Sequence, residues 1–277
     1  MFKFSLIIAT KGRTKQLNHL LNSFIEQTYK NFELIIVDSN EDDRLKHIIL
    51  SFSDVLRIKH IKLSGGLSYA RNAGLKLATG NIIAFPDDDC WYPKSLLETV
   101  TQEFDSSIDG ITCPARDSAG MLSSNRWRKK PTILNKNNLW TTAISFTIFL
   151  KKDVIEKVGD FDNKLGAGAW GSGEESDYLI RAVTTGSIIR YIPSFFVYHE
   201  NPITNLTYKH SERAYTYGLG FGYLLKKYHY PFWFILYQLI KPLTGIGLSL
   251  IKFNPMKAKY YLGSLRGRIH GLLVDLW

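Results

Sequence analysis

The sequence predicts an α/β protein built around a mostly parallel, doubly wound sheet. Short apolar runs rich in Ile and Val alternate with segments whose apolar residues recur at helical spacing, which is the pattern of βαβ units with parallel strands. Acidic residues directly follow two of these runs. Because ligands bind beyond the carboxyl ends of the strands in such sheets, we expect the acidic side chains to line one crevice.

The first half of the chain supplies most of the predicted sheet. Residues 4–9 and 32–37 are predicted strands, and the apolar residues between them recur at helical spacing at Leu17, Leu20, Leu21, Phe24 and Ile25. The alternation continues with a short helix around 45–49, a strand at 57–61, a helix at 68–78 and a strand at 81–85. Asp38 ends the second strand, and an acidic run at 87–89 follows the fourth.

The second half is predicted to add strands and two loops. Strands are expected at 108–113, 145–150 and 188–197, the last of which ends near His199. A polar, basic stretch at 125–131 is predicted to be a loop over the site, and residues 165–177 form a Gly-rich loop that runs into a helix.

Composition excludes several classes of protein. With 45% hydrophobic and 22% charged residues in 277, the chain can bury a sizeable core and is neither disordered nor fibrous. The 35 Lys and Arg against 25 Asp and Glu give a formal charge of +10, which favours anionic partners. Nucleic acid has only this charge in its favour, because zinc-finger spacing and an aromatic RNP-like pattern are absent from the sequence. The phosphate-binding motifs of P-loop ATPases and of NAD-dependent enzymes are absent too, so we expect neither class.

Cysteine usage and the start of the chain bear on the compartment. Cys90 and Cys113 have neither metal-ligand nor redox spacing, which fits a reduced, cytoplasmic compartment. The apolar stretch at the start is too short for a signal peptide. We therefore expect that the chain is not exported and that the glycosylation sequon at Asn205 is a chance match.

The acidic run Asp87, Asp88 and Asp89 is the strongest chemical feature. Carboxylates this close repel one another, and a divalent cation such as Mg²⁺ or Mn²⁺ would relieve the repulsion. A solvated acidic turn, or an N-cap for the helix near Pro93, explains the same residues equally well. His199 is a candidate ligand for a metal or a phosphate, although a lone His is more often structural.

Three further carboxylates, Glu174, Glu175 and Asp177, begin the helix after the Gly-rich loop. A carboxylate at this place can take a proton from an attacking hydroxyl. Ser172 and Glu175 also fit a capping box, in which Glu175 only satisfies a backbone N–H group. Arg71 has a similar ambiguity, because its guanidinium suits a uracil or a phosphate while a surface Arg on a helix is commoner.

The order of these motifs resembles that of the family 2 glycosyltransferases, which have the GT-A fold, over roughly residues 3–200. Ser5–Arg13 resembles the opening strand and nucleotide loop of the family, and Phe32–Asp38 the strand whose aspartate contacts the base. Ala70–Gly74 resembles the helix over the donor, and Asp87–Asp89 the D-x-D region. Gly171–Asp177 is similar to the Glu-Asp motif before the acceptor-side helix, with Glu175 in place of the usual aspartate.

The resemblance implies a role for each matching residue. Nucleotide-sugar binding is implied for Thr10, Arg13, Asp38, Arg71, Asp87 and Asp88, with Thr10, Asp38 and Arg71 at the uracil and Asp88 near the ribose. Binding of Mn²⁺ or Mg²⁺ is implied for Asp89 and His199. Glu175 is implied to be the catalytic base, with Trp170, Glu174 and Asp177 on the acceptor side.

The same resemblance implies an inverting transfer of a hexose, glucose or galactose, from a UDP-sugar. The implied acceptor is a polyprenyl-diphosphate-linked saccharide of the GlcNAc-diphosphate-undecaprenol type, in bacterial O-antigen or capsule biosynthesis. A sugar nucleotidyltransferase is a rival, but it would carry a Gly-rich, Lys-containing loop after the first strand. A non-catalytic, membrane-docked scaffold with a transferase fold is the second rival.

The C-terminal region is basic and apolar. Residues 231–251 are about long enough to cross a bilayer. Lys241 and Pro242 lie in the middle, where a charge costs on the order of 3 kcal/mol, and this favours a broken pair of helices lying on an anionic membrane surface. A helical subdomain packed on the sheet and a homodimer contact also fit the pattern. We expect a peripheral protein at the cytoplasmic face of the bacterial inner membrane.

These expectations define a domain plan. A GT-A catalytic domain is predicted at 1–204, with a nucleotide-sugar-binding half at 1–115 and an acceptor-side half at 116–204. A helical, membrane-associating segment is predicted at 205–277.

Overall fold

The computed structural model of the chain describes residues 2–124, 126–200 and 206–274. These residues form two compact units. The first unit takes its residues from 1–161 and 175–202, and the second from 162–174 and 203–277. The predicted domain boundary at 204 and the sequon at Asn205 lie outside the described residues, and both stay predictions.

The first unit contains two sheets within the described residues. Their strands are β1 Phe4–Thr10, β2 Phe32–Asp38, β3 Ile58–Lys62, β4 Ile82–Ala84, β5 Cys90–Trp91, β6 Gly110–Thr112, β7 Ala115–Arg116, β8 Thr132–Ile133, β9 Ile148–Lys151, β10 Ile189–Tyr191 and β11 Val197–His199. The large sheet has the order β3-β2-β1-β4-β9-β6-β10-β8, and the small sheet has the order β5-β11-β7.

The large sheet is mostly parallel, as predicted. Strands β3, β2, β1 and β4 pair in parallel, and so do β6 and β10. Strand β9 is antiparallel to both of its neighbours, and β8 is antiparallel to β10. The α/β prediction is therefore confirmed, and the carboxyl ends of β1, β2 and β4 meet at one edge.

Helices cover this sheet. They are α1 Lys15–Ile25, α2 Lys46–Phe52, α3 Leu67–Leu77, α4 Leu96–Glu103, α5 Lys152–Val158 and α6 Glu174–Thr184. Helix α3 lies unusually close to the sheet, because a Cβ atom at Gly74 would lie 2.4 Å from Cγ2 of Ile7. Asn72 fixes the same helix to the backbone of Phe161, with its Nδ2 2.9 Å from the oxygen and its Oδ1 2.8 Å from the nitrogen. These contacts set the position of Arg71 on α3.

Two predicted strands are wrong in detail. Residues 188–197 form two strands in different sheets, β10 and β11, with a turn at 193–194 between them. Pro193 lies in this turn, and its missing N–H is poorly suited to a continuous strand. The predicted strand at 145–150 begins as a single 3₁₀ turn, Ser145–Thr147. The side-chain oxygen of Thr147 accepts a hydrogen bond of 3.1 Å from the backbone of Ile144, which closes the turn.

The second unit contains a Gly-rich loop and three long helices within the described residues. The helices are α7 Tyr208–Lys227, α8 Phe232–Ile251 and α9 Pro255–Leu273. Helices α7 and α9 pack backbone against backbone: a Cβ atom would lie 2.1 Å from the carbonyl oxygen of Tyr215 if placed at Gly267, and 2.1 Å from that of Arg268 if placed at Gly222. Only glycine allows this separation.

The predicted break in the C-terminal apolar segment is also wrong. Helix α8 continues through Pro242. Pro242 has no N–H to donate to the carbonyl of Gln238, four residues earlier. The guanidinium of Arg268, on α9, donates to that carbonyl instead. Within the described residues α8 is one helix long and apolar enough to cross a membrane by length and composition.

Candidate active site

Thr10 and Asp38 lie side by side at the carboxyl ends of β1 and β2. Their Cα atoms pair in the strand register, and both residues are buried. Asp38 Oδ1 accepts hydrogen bonds from the backbone N–H and side-chain Nδ2 of Asn40 at 2.8 and 2.7 Å. Its other oxygen, Oδ2, lies 3.3 Å from Nε2 of His60. Asn40 Oδ1 also accepts a hydrogen bond of 2.6 Å from the backbone N–H of Gly12, so Asn40 connects the loop after β1 to Asp38.

Arg13 bridges two acids of the run after β4. Its Nη1 lies 2.6 Å from Oδ1 of Asp88 and 2.6 Å from Oδ2 of Asp89. Burial raises the pKa of Asp88, and the charge of Arg13 only partly offsets that effect. Burial works against the charge of Arg13, but the carboxylates outweigh it and raise the pKa of Arg13. The protein itself therefore neutralises part of the repulsion expected within the acidic run.

Asp89 and His199 face each other. Strand β11 is antiparallel to β5 and places His199 opposite Cys90, the residue after Asp89. Nε2 of His199 lies 3.4 Å from Oδ1 of Asp89. On the far side of the ring, Nδ1 lies 2.7 Å from the carbonyl oxygen of Glu200 and 3.1 Å from Oγ of Ser124. Because a carbonyl oxygen only accepts, the neutral ring carries its proton on Nδ1 and turns the lone pair of Nε2 towards Asp89.

When the ring of His199 is protonated, its positive charge and the negative charge of Asp89 stabilise each other. Burial alone would raise the pKa of Asp89, but His199 and Arg13 outweigh it and lower the pKa. Burial alone would lower the pKa of His199, but Asp89 outweighs it and raises the pKa.

The donor set of Asp89 and His199 fits a divalent metal. Two ligand atoms about 2.1 Å from one ion and at right angles to each other are about 3 Å apart, and the observed 3.4 Å is close to that separation. In the described part of the chain, no group of three or more His, Cys, Asp or Glu side chains is placed to hold a metal ion. A pair of protein ligands suits Mg²⁺-like ions, whose other positions are filled by water and phosphate oxygens.

Arg71 is a buried residue rather than a surface one. It is only 1% exposed, and its Nη2 lies 3.0 Å from Oδ1 of Asp87. Its guanidinium carbon lies 5.9 Å from the ring centre of Phe85 and 5.6 Å from that of Phe161. Ser145 Oγ lies 3.3 Å from both carboxylate oxygens of Asp87. Asp87 is thus held between a fixed cation and a hydroxyl.

The three acids of α6 have different surroundings. Helix α6 begins at Glu174, so the residue directly before the helix is Gly173 and not Ser172. The hydroxyl of Ser176 donates to Oε1 of Glu175 at 3.5 Å. Asp177 is fully buried and its Oδ2 lies 2.9 Å from Nε of Arg181. Arg181 in turn donates to backbone carbonyls at the end of α5, with Nη1 2.7 Å from Val158 O and Nη2 2.9 Å from Asp160 O. Asp177 therefore braces the first turn of α6. The catalytic role of Glu175 and the acceptor-side roles of Glu174 and Asp177 stay predictions.

Trp170 lies on the Gly-rich loop of the second unit. Its ring is edge-on to that of Tyr223, with the ring centroids 5.6 Å apart. Ser172, on the same loop, donates to the carbonyl of Thr216 at 3.4 Å. A Cβ atom at Gly220 would lie 1.7 Å from the carbonyl oxygen of Ser172. The loop is therefore packed directly on the backbone of α7, and the acceptor-side role of Trp170 stays a prediction.

The amino-acid sequence matches the model of a known protein family. The model described as Glycosyl transferase family 2 matches residues 5–159, more than half of the chain. The chain belongs to glycosyltransferase family 2. The matched span contains the acidic run and ends before α6 and His199.

Two curated glycosyltransferases illustrate what this chain is similar to. The chain is 33% identical over 107 residues to WfgD of Escherichia coli, a UDP-Glc:alpha-D-GlcNAc-diphosphoundecaprenol beta-1,3-glucosyltransferase, with 38% of this chain and 42% of WfgD covered. It is 30% identical over 168 residues to TarS of Staphylococcus aureus, a poly(ribitol-phosphate) beta-N-acetylglucosaminyltransferase, with 56% of this chain and 29% of TarS covered. The chain spans less than half the length of these two relatives.

Solved structures show the same fold. TarS 1–349 in complex with UDP-GlcNAc superposes with a TM-score of 0.63 at 21% identity, covering 79% of this chain and 65% of that one. The mannosyltransferase PcManGT from Pyrobaculum calidifontis, in complex with GDP-Man and Mn²⁺, superposes with a TM-score of 0.66 at 16% identity. The superposition covers 97% of this chain and 87% of PcManGT. The predicted GT-A fold is confirmed.

Several residues around the candidate site of this family 2 chain escaped the sequence analysis. Asn40 follows Asp38 by two residues, a spacing typical of an Asx-type turn that could have been noticed. Ser124 contacts His199 from a distant loop, and the ring of Phe146 stacks on His199 with centroids 4.8 Å apart. Neither contact has a local signal, because each joins residues far apart in the chain.

Proposed function

We propose that the chain is an inverting, divalent-metal-dependent hexosyltransferase that uses a UDP-sugar. The observation that carries the proposal is the cluster of Arg13, Asp88, Asp89 and His199, at the carboxyl edge of the sheet in a family 2 chain. This cluster combines a cation, carboxylates and an imidazole at the place where ligands of parallel sheets bind.

The nucleotide half of the donor is assigned to residues of β1, β2 and α3. Thr10, Asp38 and Arg71 bind the uracil, and Asp88 lies near the ribose. Support comes from the pairing of Thr10 with Asp38 in the register, which gives a base two adjacent polar groups. WfgD is named for UDP-Glc, and a TarS structure contains UDP-GlcNAc. Arg13 and Asp87 complete the donor site.

Asp89 and His199 hold Mn²⁺ or Mg²⁺. When bound, the ion neutralises negative charge that grows on the diphosphate as it leaves. Arg13 adds a fixed positive charge beside the same carboxylates, and Ser124 and Glu200 orient the imidazole. PcManGT, of the same fold, has been solved with Mn²⁺.

Glu175 acts as the general base in a single displacement. Its carboxylate takes the proton of the acceptor hydroxyl while the hydroxyl oxygen forms a bond to the anomeric carbon. The bond between that carbon and the diphosphate breaks at the same time, and UDP leaves with the electron pair. Attack opposite to the leaving group inverts the anomeric configuration. The buried ion pair of Asp177 with Arg181 holds the helix that carries Glu175.

The acceptor we propose is a polyprenyl-diphosphate-linked saccharide in the assembly of a bacterial O-antigen or capsule, with glucose or galactose as the transferred sugar. WfgD is named for an acceptor of this class, α-D-GlcNAc-diphosphoundecaprenol. An undecaprenol-linked acceptor is held in a membrane. The apolar helix α8 is consistent with catalysis at the membrane surface. We place the protein peripherally at the cytoplasmic face, where nucleotide sugars are made. Trp170, Glu174 and Asp177 are assigned to the acceptor side.

The test is UDP release by the purified chain across a panel of UDP-sugars, with Mn²⁺ or EDTA, and with or without a synthetic GlcNAc-diphosphate-lipid. We expect release with one sugar that requires the acceptor and is abolished by EDTA. Glu175→Gln should remove acceptor-dependent release, whereas Glu156→Gln, an exposed glutamate on α5, should leave it unchanged. Absence of release with every sugar and several acceptors, from a folded protein, would contradict the proposal.

A further inference from the structure

Helix α8 exposes a large apolar face, whereas a helix in water usually buries such a face. Its exposed face carries Trp233, Leu236, Tyr237, Ile240, Leu243 and Leu250, of which Trp233 is 62% and Leu250 59% exposed. Its buried face carries Phe234 and Pro242 together with the polar residues Gln238 and Ser249, which are 5% and 2% exposed. At 100° per residue, the six apolar residues fall on one half of the helix and the two polar residues on the other.

The inward polar groups have partners within the second unit. Arg268 donates to the backbone carbonyl of Gln238. The side-chain Oε1 of Gln238 lies 3.1 Å from Nζ of Lys241. Ser249 Oγ donates to the carbonyl of Gly245 at 2.6 Å. The buried face of α8 is therefore satisfied inside the unit, while its apolar face lacks cover from the described residues. Continuous apolar patches of this kind mark interaction surfaces.

The charged residues around α8 indicate which kind of partner covers its exposed apolar face. Residues 213–274 contain no Asp or Glu. The exposed cations along α8 and α9 are Lys241, Lys252, Lys257, Lys259 and Arg266. A second copy of the chain would bring these like charges against each other, whereas a bilayer with anionic head groups supplies both acyl chains and opposite charge. Trp233 and Tyr237 add the aromatic side chains that favour the membrane interface.

The packing of α9 on α8 sets the orientation relative to the bilayer. The two helices are antiparallel, because Arg268 lies at the level of Gln238 and Tyr261 lies at the level of Gly245. If α8 crossed the bilayer, α9 would carry Arg266 and Arg268 close to its middle and Lys259 into its apolar interior, where charged side chains are strongly disfavoured. With α8 parallel to the membrane plane, the apolar face enters the acyl chains and the cations stay at the head groups.

We infer that α8 is an in-plane membrane-docking helix, whose exposed apolar face inserts into one leaflet of an anionic bilayer. The inference deepens the proposed function, since it names the surface that brings the enzyme to a lipid-linked acceptor. Binding to vesicles needs no turnover, so failure of docking and failure of the proposed transfer are distinguished by separate measurements.

The first experiment is co-flotation of the full chain with vesicles of phosphatidylcholine alone or of phosphatidylcholine with phosphatidylglycerol. We expect binding to the anionic vesicles and weaker binding at high salt. A triple variant, Leu236→Gln, Leu243→Gln and Leu250→Gln, should reduce the partition coefficient about tenfold or more, because the removed apolar surface is exposed and contributes little to folding.

A matched control replaces three exposed apolar residues of the first unit: Leu50→Gln, Val55→Gln and Met121→Gln. It should bind vesicles like the unchanged chain. Equal vesicle binding by the α8 triple variant and the unchanged chain would overturn the docking surface. A wild-type dimer that ignores vesicles, and that the α8 triple variant converts to a monomer, would assign the face to a second copy instead.

The orientation has its own measurement. Lys252→Cys places a thiol at the exposed end of α8, while the native Cys90 and Cys113 are buried. On intact vesicles, an in-plane helix leaves this thiol open to a membrane-impermeant maleimide added outside. Labelling that appears only after detergent lysis would show that α8 and α9 cross the bilayer and would overturn the in-plane arrangement.

Discussion

The carboxylate of Asp89 has two different partners, the imidazole of His199 at 3.4 Å and the guanidinium of Arg13 at 2.6 Å. Replacement by Asn keeps the size of the side chain and removes its charge. We expect Asp89→Asn to lower kcat/KM about 100-fold or more and to abolish stimulation by Mn²⁺, since a metal contributes several kcal/mol to the transition state. UDP release titrated with Mn²⁺ measures both effects.

Asp54→Asn is the control for this variant, because Asp54 is an exposed aspartate in a turn. It should respond to Mn²⁺ like the unchanged chain. An unaltered Mn²⁺ titration in Asp89→Asn would show that the metal is held by other residues.

Glu33 is a buried carboxylate on β2 that belongs to the fold rather than to the site. Burial opposes its ionisation, but hydrogen bonds from Ser5, Thr79 and Lys59 outweigh burial and lower its pKa from 4.5 to about 2. A lowered pKa in the folded state stabilises the protein above pH 4.5, and this stabilisation is lost as the pH falls towards 2.

Glu33→Gln should therefore reduce the free energy of unfolding by about 2–3 kcal/mol at pH 7, and the difference should shrink steadily below about pH 4.5. Urea unfolding between pH 7 and pH 3 measures the trend. Glu156→Gln, which alters an exposed glutamate, should give a difference near zero throughout. If the loss in free energy of unfolding caused by Glu33→Gln stayed constant with pH, this would contradict the lowered pKa.

At the scale of elements, the Gly-rich loop depends on one glycine of α7. A Cβ atom at Gly220 would lie 1.7 Å from the carbonyl oxygen of Ser172, whereas one at Gly247, on α8, would meet nothing within 4 Å. Both substitutions to Ala gain about the same helix propensity, up to about 1 kcal/mol. Gly220→Ala should nevertheless destabilise the chain by about 1–3 kcal/mol, because overpacking forces the backbone apart.

Urea unfolding of Gly220→Ala and Gly247→Ala compares the two substitutions directly. Amide hydrogen exchange should also become faster in residues 165–173 of Gly220→Ala only. Equal stabilisation by both substitutions would mean that the loop does not rest on α7.

The continuity of α8 through Pro242 rests on a donor from another helix. Arg268 donates to the carbonyl that Pro242 leaves without a partner, and burial lowers the pKa of Arg268 to about 10. In Pro242→Ala the new backbone N–H can satisfy the carbonyl of Gln238. Arg268→Met should therefore cost about 1 kcal/mol less in the Pro242→Ala background than in the unchanged chain.

A double-mutant cycle of Pro242→Ala and Arg268→Met, followed by urea unfolding, measures this coupling. Contacts of Arg268 with the ring of Phe221, at 4.6 Å, are lost in both backgrounds and cancel. Additive costs would show that the guanidinium does not compensate for the proline.

At the scale of the whole molecule, the sequence predicts what depends on periodicity and order along the chain. The acids Asp38 and Asp89 follow apolar runs, so their common edge follows from the parallel alternation of strands. The pairing of Asp89 with His199 is implied by the family resemblance and not by a local pattern, because His199 reaches Asp89 only through pairing of β11 with β5, strands more than 100 residues apart. Ser124 and Phe146, around the same imidazole, carry no signal for the same reason.

The errors in the prediction have the same origin. Pro242 favoured a break because the local rule assumes that the carbonyl of Gln238 has no other donor. Arg268, distant in sequence, supplies one. The fold class and the acidic edge thus depend on local patterns, whereas helix continuity and the surroundings of the imidazole depend on tertiary contacts.

Binding of nucleotide to the whole chain decides the donor class without knowledge of the acceptor. A ligand at 100 times its Kd adds about 2.7 kcal/mol to the free energy of unfolding, which raises the Tm of a chain of this size by about 5 °C or more. We expect this rise with UDP and Mn²⁺, and its loss with EDTA or in Asp89→Asn. GDP should have little effect if Asp38 and Arg71 recognise uracil. A rise with GDP but not UDP would move the donor to the guanine nucleotide sugars while leaving the metal site in place.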